Sequence, residues 1–191
     1  MSGLPLRGGR VEDRPNRLVL AFRAADRVVL SVNRWAMILC LAVMAVLIFA
    51  NVVLRYLVHD GVVWAEEIGR YLMVWLTFIG IGPVLRVGGH MAIDALPESL
   101  PPRFARPLRL FIVLLVALFL GYFAYLGLLY AQKSWIQTMG VTGFPFSYVS
   151  VSIAVGFALS LWHLAACASG YIQDGTYEVS ADLDPEQAAS L

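Results

Sequence analysis

Charged residues and cysteines are both scarce in this sequence. Only 14% of the 191 residues are charged, and the two cysteines are Cys40 and Cys167. Both cysteines lie in or beside apolar segments, where cysteine behaves as a small apolar residue, so we expect no disulfide framework. The formal net charge is +1, which gives no indication of a nucleic-acid partner. These absences argue against a disulfide-stabilised scaffold and against a basic nucleic-acid-binding domain.

Motifs of the common enzyme classes are also missing. The sequence contains no Ser–His–Asp set, no phosphate-binding glycine loop and no cysteine pair with the spacing of metal ligands. Its halves do not repeat with interrupted apolar segments, as expected of a self-sufficient secondary transporter. We therefore predict that the chain is not an enzyme and has no cofactor, metal or catalytic site. We interpret it as an accessory subunit.

Apolar residues are abundant and are concentrated in four long segments. They make up 60% of the chain, and the mean hydropathy is +0.75. The segments cover residues 35–54, 68–85, 108–131 and 146–167, close to the roughly 20 residues that cross a ~30 Å hydrocarbon core as a helix. They are apolar on all sides rather than alternating, which argues against barrel strands. The sequence predicts an all-α membrane protein with a four-helix transmembrane domain over residues 35–168.

The two terminal segments differ in charge. Residues 1–34 are basic with seven arginines, and residues 169–191 are acidic. Within residues 17–34, apolar side chains recur at three- and four-residue steps, starting at Leu18 and Phe22. This pattern favours an amphipathic helix in the membrane interface. The alternative is a helical extension of the first transmembrane span.

Arginine and lysine in the links predict the orientation of the chain. The link between the second and third segments has four arginines, Arg86, Arg103, Arg106 and Arg109, whereas the next link has only Lys133. Residues 1–34 and the second link must lie on the same side of the membrane. The positive-inside rule makes that side cytoplasmic. We therefore predict a multi-pass membrane protein with both termini in the cytoplasm.

Three charged residues lie at the start of the second segment. Glu66 and Arg70 are four residues apart and Glu67 and Arg70 are three apart, which are spacings that bring side chains together on a helix. An unpaired charge within a membrane costs about 2.5–3.5 kcal/mol on insertion scales. The alternatives are an interfacial salt bridge at the helix end, a contact with a partner helix and an ion sensor.

Histidines raise the question of haem. His163 lies near the end of the fourth segment, and His90 follows the second, close to Asp94. Two glycines before His90 indicate a turn on the cytoplasmic side, and one His with one Asp supplies too few ligands for a metal. A haem between His163 and His90 would make the chain a membrane anchor of an oxidoreductase. We keep this as the alternative function and favour a hydrogen-bonded His163.

Small residues recur at four-residue spacing in the third and fourth segments. The clearest series is Ser152, Gly156 and Ser160. Such spacing permits close helix packing in lipid, either within the chain or against a partner.

These features together resemble the DctQ family, the small membrane subunit of tripartite ATP-independent periplasmic (TRAP) transporters. The matching features, within about residues 30–170, are Arg55-Tyr56, Trp64, Glu66, Glu67, Arg70, Arg86, Gly88, His90, Asp94, Leu96, Leu100-Pro101 and Phe144-Pro145. The terminal segments take no part in the resemblance.

The resemblance implies a transport function for the chain in the bacterial inner membrane. Such a subunit would brace a larger, DctM-like transmembrane subunit within membrane lipid. The large subunit would carry out sodium-coupled uptake of an organic acid, which a periplasmic binding protein would deliver. It implies structural or subunit-contact roles, and no substrate contact, for a set of nine residues. These are Arg55, Tyr56, Trp64, Glu66, Glu67 and Arg70 near the periplasmic face, and Arg86, His90 and Asp94 near the cytoplasmic face.

Overall fold

The computed structural model describes residues 17–86 and 101–175 and shows four α-helices in them. They are α1 (Arg17–Leu57), α2 (Val63–Arg86), α3 (Pro102–Lys133) and α4 (Ser147–Asp174). Each helix is long and apolar enough to cross a membrane. The predicted all-α membrane fold with four transmembrane helices is therefore confirmed. Each helix is longer than its predicted span, because a helix can continue past the apolar residues that face hydrocarbon.

Helix α1 is the longest element of the fold. It is continuous over 41 residues, which corresponds to about 62 Å. The segment 17–34, predicted as an amphipathic helix, is helical but is not a separate element. In this respect the structure agrees with the helical-extension alternative. Its location in the membrane interface stays a prediction.

Helix α4 lies at the centre of the bundle. Helices α2 and α3 both pack against α4, and α1 packs mainly on α2. The side chains at the centre are largely buried because apolar residues of α2, α3 and α4 converge there. They are Leu85, Val113, Leu120, Phe157, Leu164, Cys167 and Tyr171. Within the described residues neither cysteine forms a disulfide, as expected from the sequence.

Two glycines bring α4 close to its neighbours. A Cβ atom at Gly156 would lie 2.5 Å from the carbonyl oxygen of Phe78 on α2. A Cβ atom at Gly127 on α3 would lie 2.8 Å from the backbone nitrogen of Ala154 on α4. Both distances are too short for a real side chain, so glycine is required at each contact. The predicted packing role of the series around Gly156 is confirmed within the chain.

The connections define the two ends of the bundle. The α1–α2 turn and the α3–α4 loop, residues 134–146, lie at the same end, because Glu67 at the start of α2 contacts Thr142 in the loop. A bridge between Thr138 and Pro145 closes that loop. The opposite end contains the end of α2 and the N-terminal part of α1, where Arg86 contacts Asp26. Two polar clusters lie at these two ends.

Candidate functional site

The first cluster connects three helices near the end of α2. We call it the Arg86 cluster, and its members are Asp26 and Asn33 of α1, Arg86 of α2, and Trp162 and His163 of α4. Arg86 is only 3% exposed, and Asn33 and His163 are also buried. Charged and polar groups are rarely buried unless they are paired. The bonding of each member therefore decides whether the cluster is stable.

The buried Arg86 and the partly buried Asp26 form a bidentate ion pair. The Nη1 of Arg86 donates to Oδ2 of Asp26 over 2.9 Å, and Nη2 donates to Oδ1. The indole Nε1 of Trp162 also donates to Oδ1, over 3.1 Å. Two parallel bonds from a guanidinium fix the orientation of both side chains. The pair thus fixes the N-terminal part of α1 against the end of α2, with α4 as a third support.

His163 extends the cluster towards the centre of the bundle. Its Nδ1 accepts a hydrogen bond from Nε of Arg86 over 2.7 Å, and its Nε2 lies 3.2 Å from Nδ2 of Asn33. A Cβ atom at Gly82 of α2 would overlap the His163 ring. Gly82 therefore provides the space that the imidazole occupies, and both ring nitrogens face side chains of this chain.

Asn33 compensates for a proline in α2. Pro83 has no N–H, so the carbonyl of Ile79, four residues earlier, loses its helical hydrogen bond. The Nδ2 of Asn33 donates to that carbonyl over 3.3 Å. The Oδ1 of Asn33 is buried without a hydrogen-bond partner in the described part of the chain. A side chain of α1 thus replaces a backbone donor that α2 lacks.

The second cluster is centred on Glu67 at the start of α2. Glu67 is only 3% exposed. Its carboxylate accepts the backbone N–H of Thr142 over 2.8 Å, the backbone N–H of Val141 over 3.2 Å and the hydroxyl of Tyr71 over 3.0 Å. Three donors compensate for the burial of this carboxylate. We call these four residues the Glu67 cluster, and it attaches the α3–α4 loop to α2.

Glu66 faces the opposite way and stabilises the α1–α2 turn. Its carboxylate forms an ion pair with Arg55 at the end of α1 and accepts a bond from Asn51 over 3.4 Å. The Oδ1 of Asn51 accepts the backbone N–H of Val62 over 2.7 Å. Both partners of the ion pair are more than half exposed, so this pair contributes little to stability. Its geometric effect is to close the turn.

The spacing of Glu66 and Glu67 to Arg70 left a salt bridge at the helix end as one of the alternatives. In the described part of the chain, Glu66 forms a salt bridge there with Arg55, Glu67 is bonded to the α3–α4 loop, and Arg70 is exposed. Spacing along one helix shows which side chains can meet. It cannot show that another helix or a loop supplies stronger donors.

The remaining predicted positions fall into two groups. Tyr56 and Trp64 are exposed beside the Glu67 end of the bundle, where they are accessible to a partner. His90 and Asp94 lie outside the described residues. Asp26 and Asn33, which the structure places at the centre of the Arg86 cluster, were not predicted. The only sequence feature that could have indicated Asn33 is Pro83, because a proline within an apolar span leaves one carbonyl needing a donor.

The comparisons with known proteins agree with this architecture. The family model described as the DctQ component of tripartite ATP-independent periplasmic transporters matches residues 44–170. The chain belongs to the DctQ family. The matched region includes α2, α3, most of α4 and the last third of α1. It contains Arg86, His163 and Glu67 but begins after Asp26 and Asn33.

Individual DctQ-family relatives have low to moderate identity with the chain. A Haemophilus influenzae protein assigned as a TRAP transporter small permease protein is 38% identical over 109 residues, which are 56% of this chain and 63% of that protein. The ectoine TRAP transporter small permease protein TeaB of Halomonas elongata is 30% identical over 129 residues, 65% of this chain and 67% of TeaB. The chain thus matches about two thirds of the length of each.

A third relative is much longer than the segment it shares with the chain. The sialic acid TRAP transporter permease protein SiaT of Haemophilus influenzae is 27% identical over 128 residues. That alignment includes 67% of this chain but only 18% of SiaT. A DctQ-like sequence is therefore joined there to a further, larger segment of a permease. DctQ is a transporter component, and the resemblance stated from the sequence is confirmed.

Proposed function

We propose that this chain is the small permease subunit of a TRAP transporter in the bacterial inner membrane. It braces a large transmembrane transport subunit during sodium-coupled uptake of an organic acid that a periplasmic binding protein delivers. The observation that carries this proposal is the match of the DctQ model to residues 44–170. These residues include the Glu67 cluster and the part of the Arg86 cluster on α2 and α4.

The bonding within the chain supports a bracing role. Asp26 and Glu67 accept hydrogen bonds from this chain's own donors, and the Nδ1 of His163 accepts one from Arg86. Groups used in this way hold helices together and are not directed at a substrate. A rigid small subunit gives the large subunit a fixed support. Conformational changes of the large subunit then do not deform the small one.

Two relatives support the proposed substrate class. TeaB is named for ectoine and SiaT for sialic acid, and both compounds contain a carboxylate. We therefore assign an organic acid as the transported compound and place its binding site on the large subunit. The sodium sites lie on the large subunit as well, since the acidic groups of the two described clusters already accept donors from this chain.

The arginines support the proposed orientation. Arg103, Arg106 and Arg109 lie at the start of α3, at the same end of the bundle as Arg86. That end is cytoplasmic by the positive-inside rule. The Glu67 cluster and the α3–α4 loop are then periplasmic, on the side where a binding protein arrives.

Reconstitution tests the proposal directly. The chain is co-expressed with a large TRAP permease from the same organism. The complex is purified in mild detergent and placed in liposomes with the binding protein. We expect a stoichiometric complex and uptake of a labelled organic acid that requires this chain and an inward sodium gradient. Recovery of the chain without a large permease, or uptake that is equal in its absence, would refute the proposal.

A further inference from the structure

The outer face of α3 carries a continuous exposed surface. Helix α3 packs mainly against α4, which leaves the opposite side uncovered by this chain. The exposed side chains on that side are Phe111, Leu114, Leu115, Leu118, Phe119, Tyr122 and Tyr125. We call this set the α3 face. Apolar residues alone would suit lipid equally well, so the two tyrosines decide what covers this surface, and Tyr122 is the one nearer the middle of the span.

Tyr122 places a hydroxyl in the middle of the span. The nearest charged residues on α3 are Arg109 and Lys133, about 20 Å and about 16 Å away along the helix axis. Tyr122 is 58% exposed, and its hydroxyl forms no hydrogen bond within the described part of the chain. At this depth hydrocarbon supplies no acceptor, and an unsatisfied polar group there is costly. The hydroxyl therefore needs an acceptor from another protein.

A groove lies at the edge of the α3 face and shares Leu115 and Phe119 with it. It has a volume of about 460 Å³ and is lined by Ile81 and Leu85 of α2, Leu115 and Phe119 of α3, and Phe157 of α4. Phe119 and Tyr122 are three residues apart and so lie on one side of the helix. The groove and the hydroxyl thus form one surface, which fits a helix that inserts an apolar side chain and presents an acceptor.

We infer that the α3 face binds a transmembrane helix of the large permease subunit, and this inference rests on the proposed function. The partner helix supplies a bulky apolar side chain to the groove and a carbonyl or hydroxyl oxygen to Tyr122. The sialic acid permease SiaT gives independent support for the identity of the partner, because its DctQ-like segment is joined to a larger permease segment. Helix–helix contacts in membranes use such packing and interhelical hydrogen bonds.

Photo-crosslinking tests which face is covered. Benzoylphenylalanine is placed at Leu118 on α3 or at Phe49 on α1, which are matched controls because they are 71% and 72% exposed. Each full-length variant is co-expressed with the large permease and irradiated in membranes. We expect a crosslink from position 118 to the large permease. A crosslink from position 49 alone, or from position 118 only to lipid or to a second copy of this chain, overturns the inference.

The same experiment separates this inference from the proposed function. If the wild-type chain does not co-purify with the large permease, the proposed function fails first. If it co-purifies while position 118 gives no crosslink to the large permease, the proposed function stands and the α3 face is wrong.

A single-atom change tests the role of the hydroxyl. Tyr122→Phe removes only the oxygen, so the isolated chain should keep its yield and melting temperature. We expect retention of the large permease in detergent to weaken by about three- to tenfold, the range for one interhelical hydrogen bond. Tyr148→Phe, at the start of α4 where water is accessible, is the matched control and should change nothing. Unaltered retention by Tyr122→Phe overturns the assigned hydrogen bond.

Discussion

The side-chain nitrogen of Asn33 on α1 lies 3.3 Å from the carbonyl oxygen of Ile79 on α2 and donates a hydrogen bond to it. That carbonyl lacks its helical donor because the residue four positions later is Pro83. A defect within one helix is thus repaired by its neighbour. The repair joins α1 to α2 at a buried point and makes the stability of each helix depend on the other.

We predict that Asn33→Leu destabilises the chain and that Pro83→Ala removes most of this effect. The leucine leaves the buried Ile79 carbonyl unpaired, which costs about 1–3 kcal/mol. An alanine in place of the proline restores a backbone N–H to the same carbonyl. The melting temperatures of the wild type, the two single variants and the double variant in detergent give the coupling energy. We expect about 1 kcal/mol. Strictly additive effects would contradict the repair.

We predict that Glu67→Gln loosens the α3–α4 loop, whereas Glu66→Gln does not. The buried carboxylate of Glu67 accepts two backbone N–H groups, and the amide of glutamine would place a donor against one of them, at a cost of about 1–3 kcal/mol. Glu66 belongs to an exposed ion pair worth roughly 0–1 kcal/mol. Limited proteolysis within residues 134–146 measures the difference. Equal cleavage rates in the two variants would argue against the Glu67 contacts.

We predict a non-additive result for the ion pair of Asp26 and Arg86, which is buried on the arginine side. Asp26→Asn removes the carboxylate that accepts two bonds from the guanidinium, and breaking a buried pair costs up to about 3–5 kcal/mol. Replacing both residues, Asp26→Leu with Arg86→Met, removes both charges and should restore much of the loss. Folded yield and melting temperature in detergent check this. A double variant less stable than Asp26→Asn would show that the charges themselves are needed.

We predict that Gly156→Ala destabilises the bundle and that Gly121→Ala does not. A methyl group at Gly156 would overlap the backbone of α2 at Phe78, whereas no atom lies within 4 Å of the Cβ position at Gly121. Both substitutions raise helix propensity by the same amount, about 1 kcal/mol, so the pair is matched. Melting of the isolated chain distinguishes them. Equal melting temperatures would mean that α2 and α4 are not in close contact at Gly156.

We predict that the Glu67 end of the bundle faces the periplasm. A reporter that is active only outside the cytoplasm should be active when fused after Thr142 and inactive when fused after Gly175. A cytoplasmic reporter should give the reverse pattern at both positions. The expectation rests on the arginine-rich start of α3, and activity of the periplasmic reporter after Gly175 would reverse the orientation.

The sequence predicted the helices well and their polar contacts poorly, for a physical reason. Each span was evident because a run of apolar residues is a local property, even though α1 extends well before residue 35. The bonds of Asp26 to Arg86 and of Arg86 to His163 join residues far apart in the sequence. Only the packing of the helices brings them together. The charged residues at the start of α2 show the same limit. The spacing of Glu66 and Glu67 to Arg70 allowed a salt bridge within the helix, but Glu66 pairs with Arg55 of α1 and Glu67 with the α3–α4 loop.

Helix α1 is attached to α2 by ion pairs at two distant points, Asp26 with Arg86 and Arg55 with Glu66. The two points on α1 are on the order of 40 Å apart along its axis. One attachment would allow the helix to rotate or slide, whereas two fix both its rotation and its register. Association normally costs entropy when mobile elements become ordered. A helix pair already fixed at both ends has less of this entropy to lose, so a partner binds a prearranged surface.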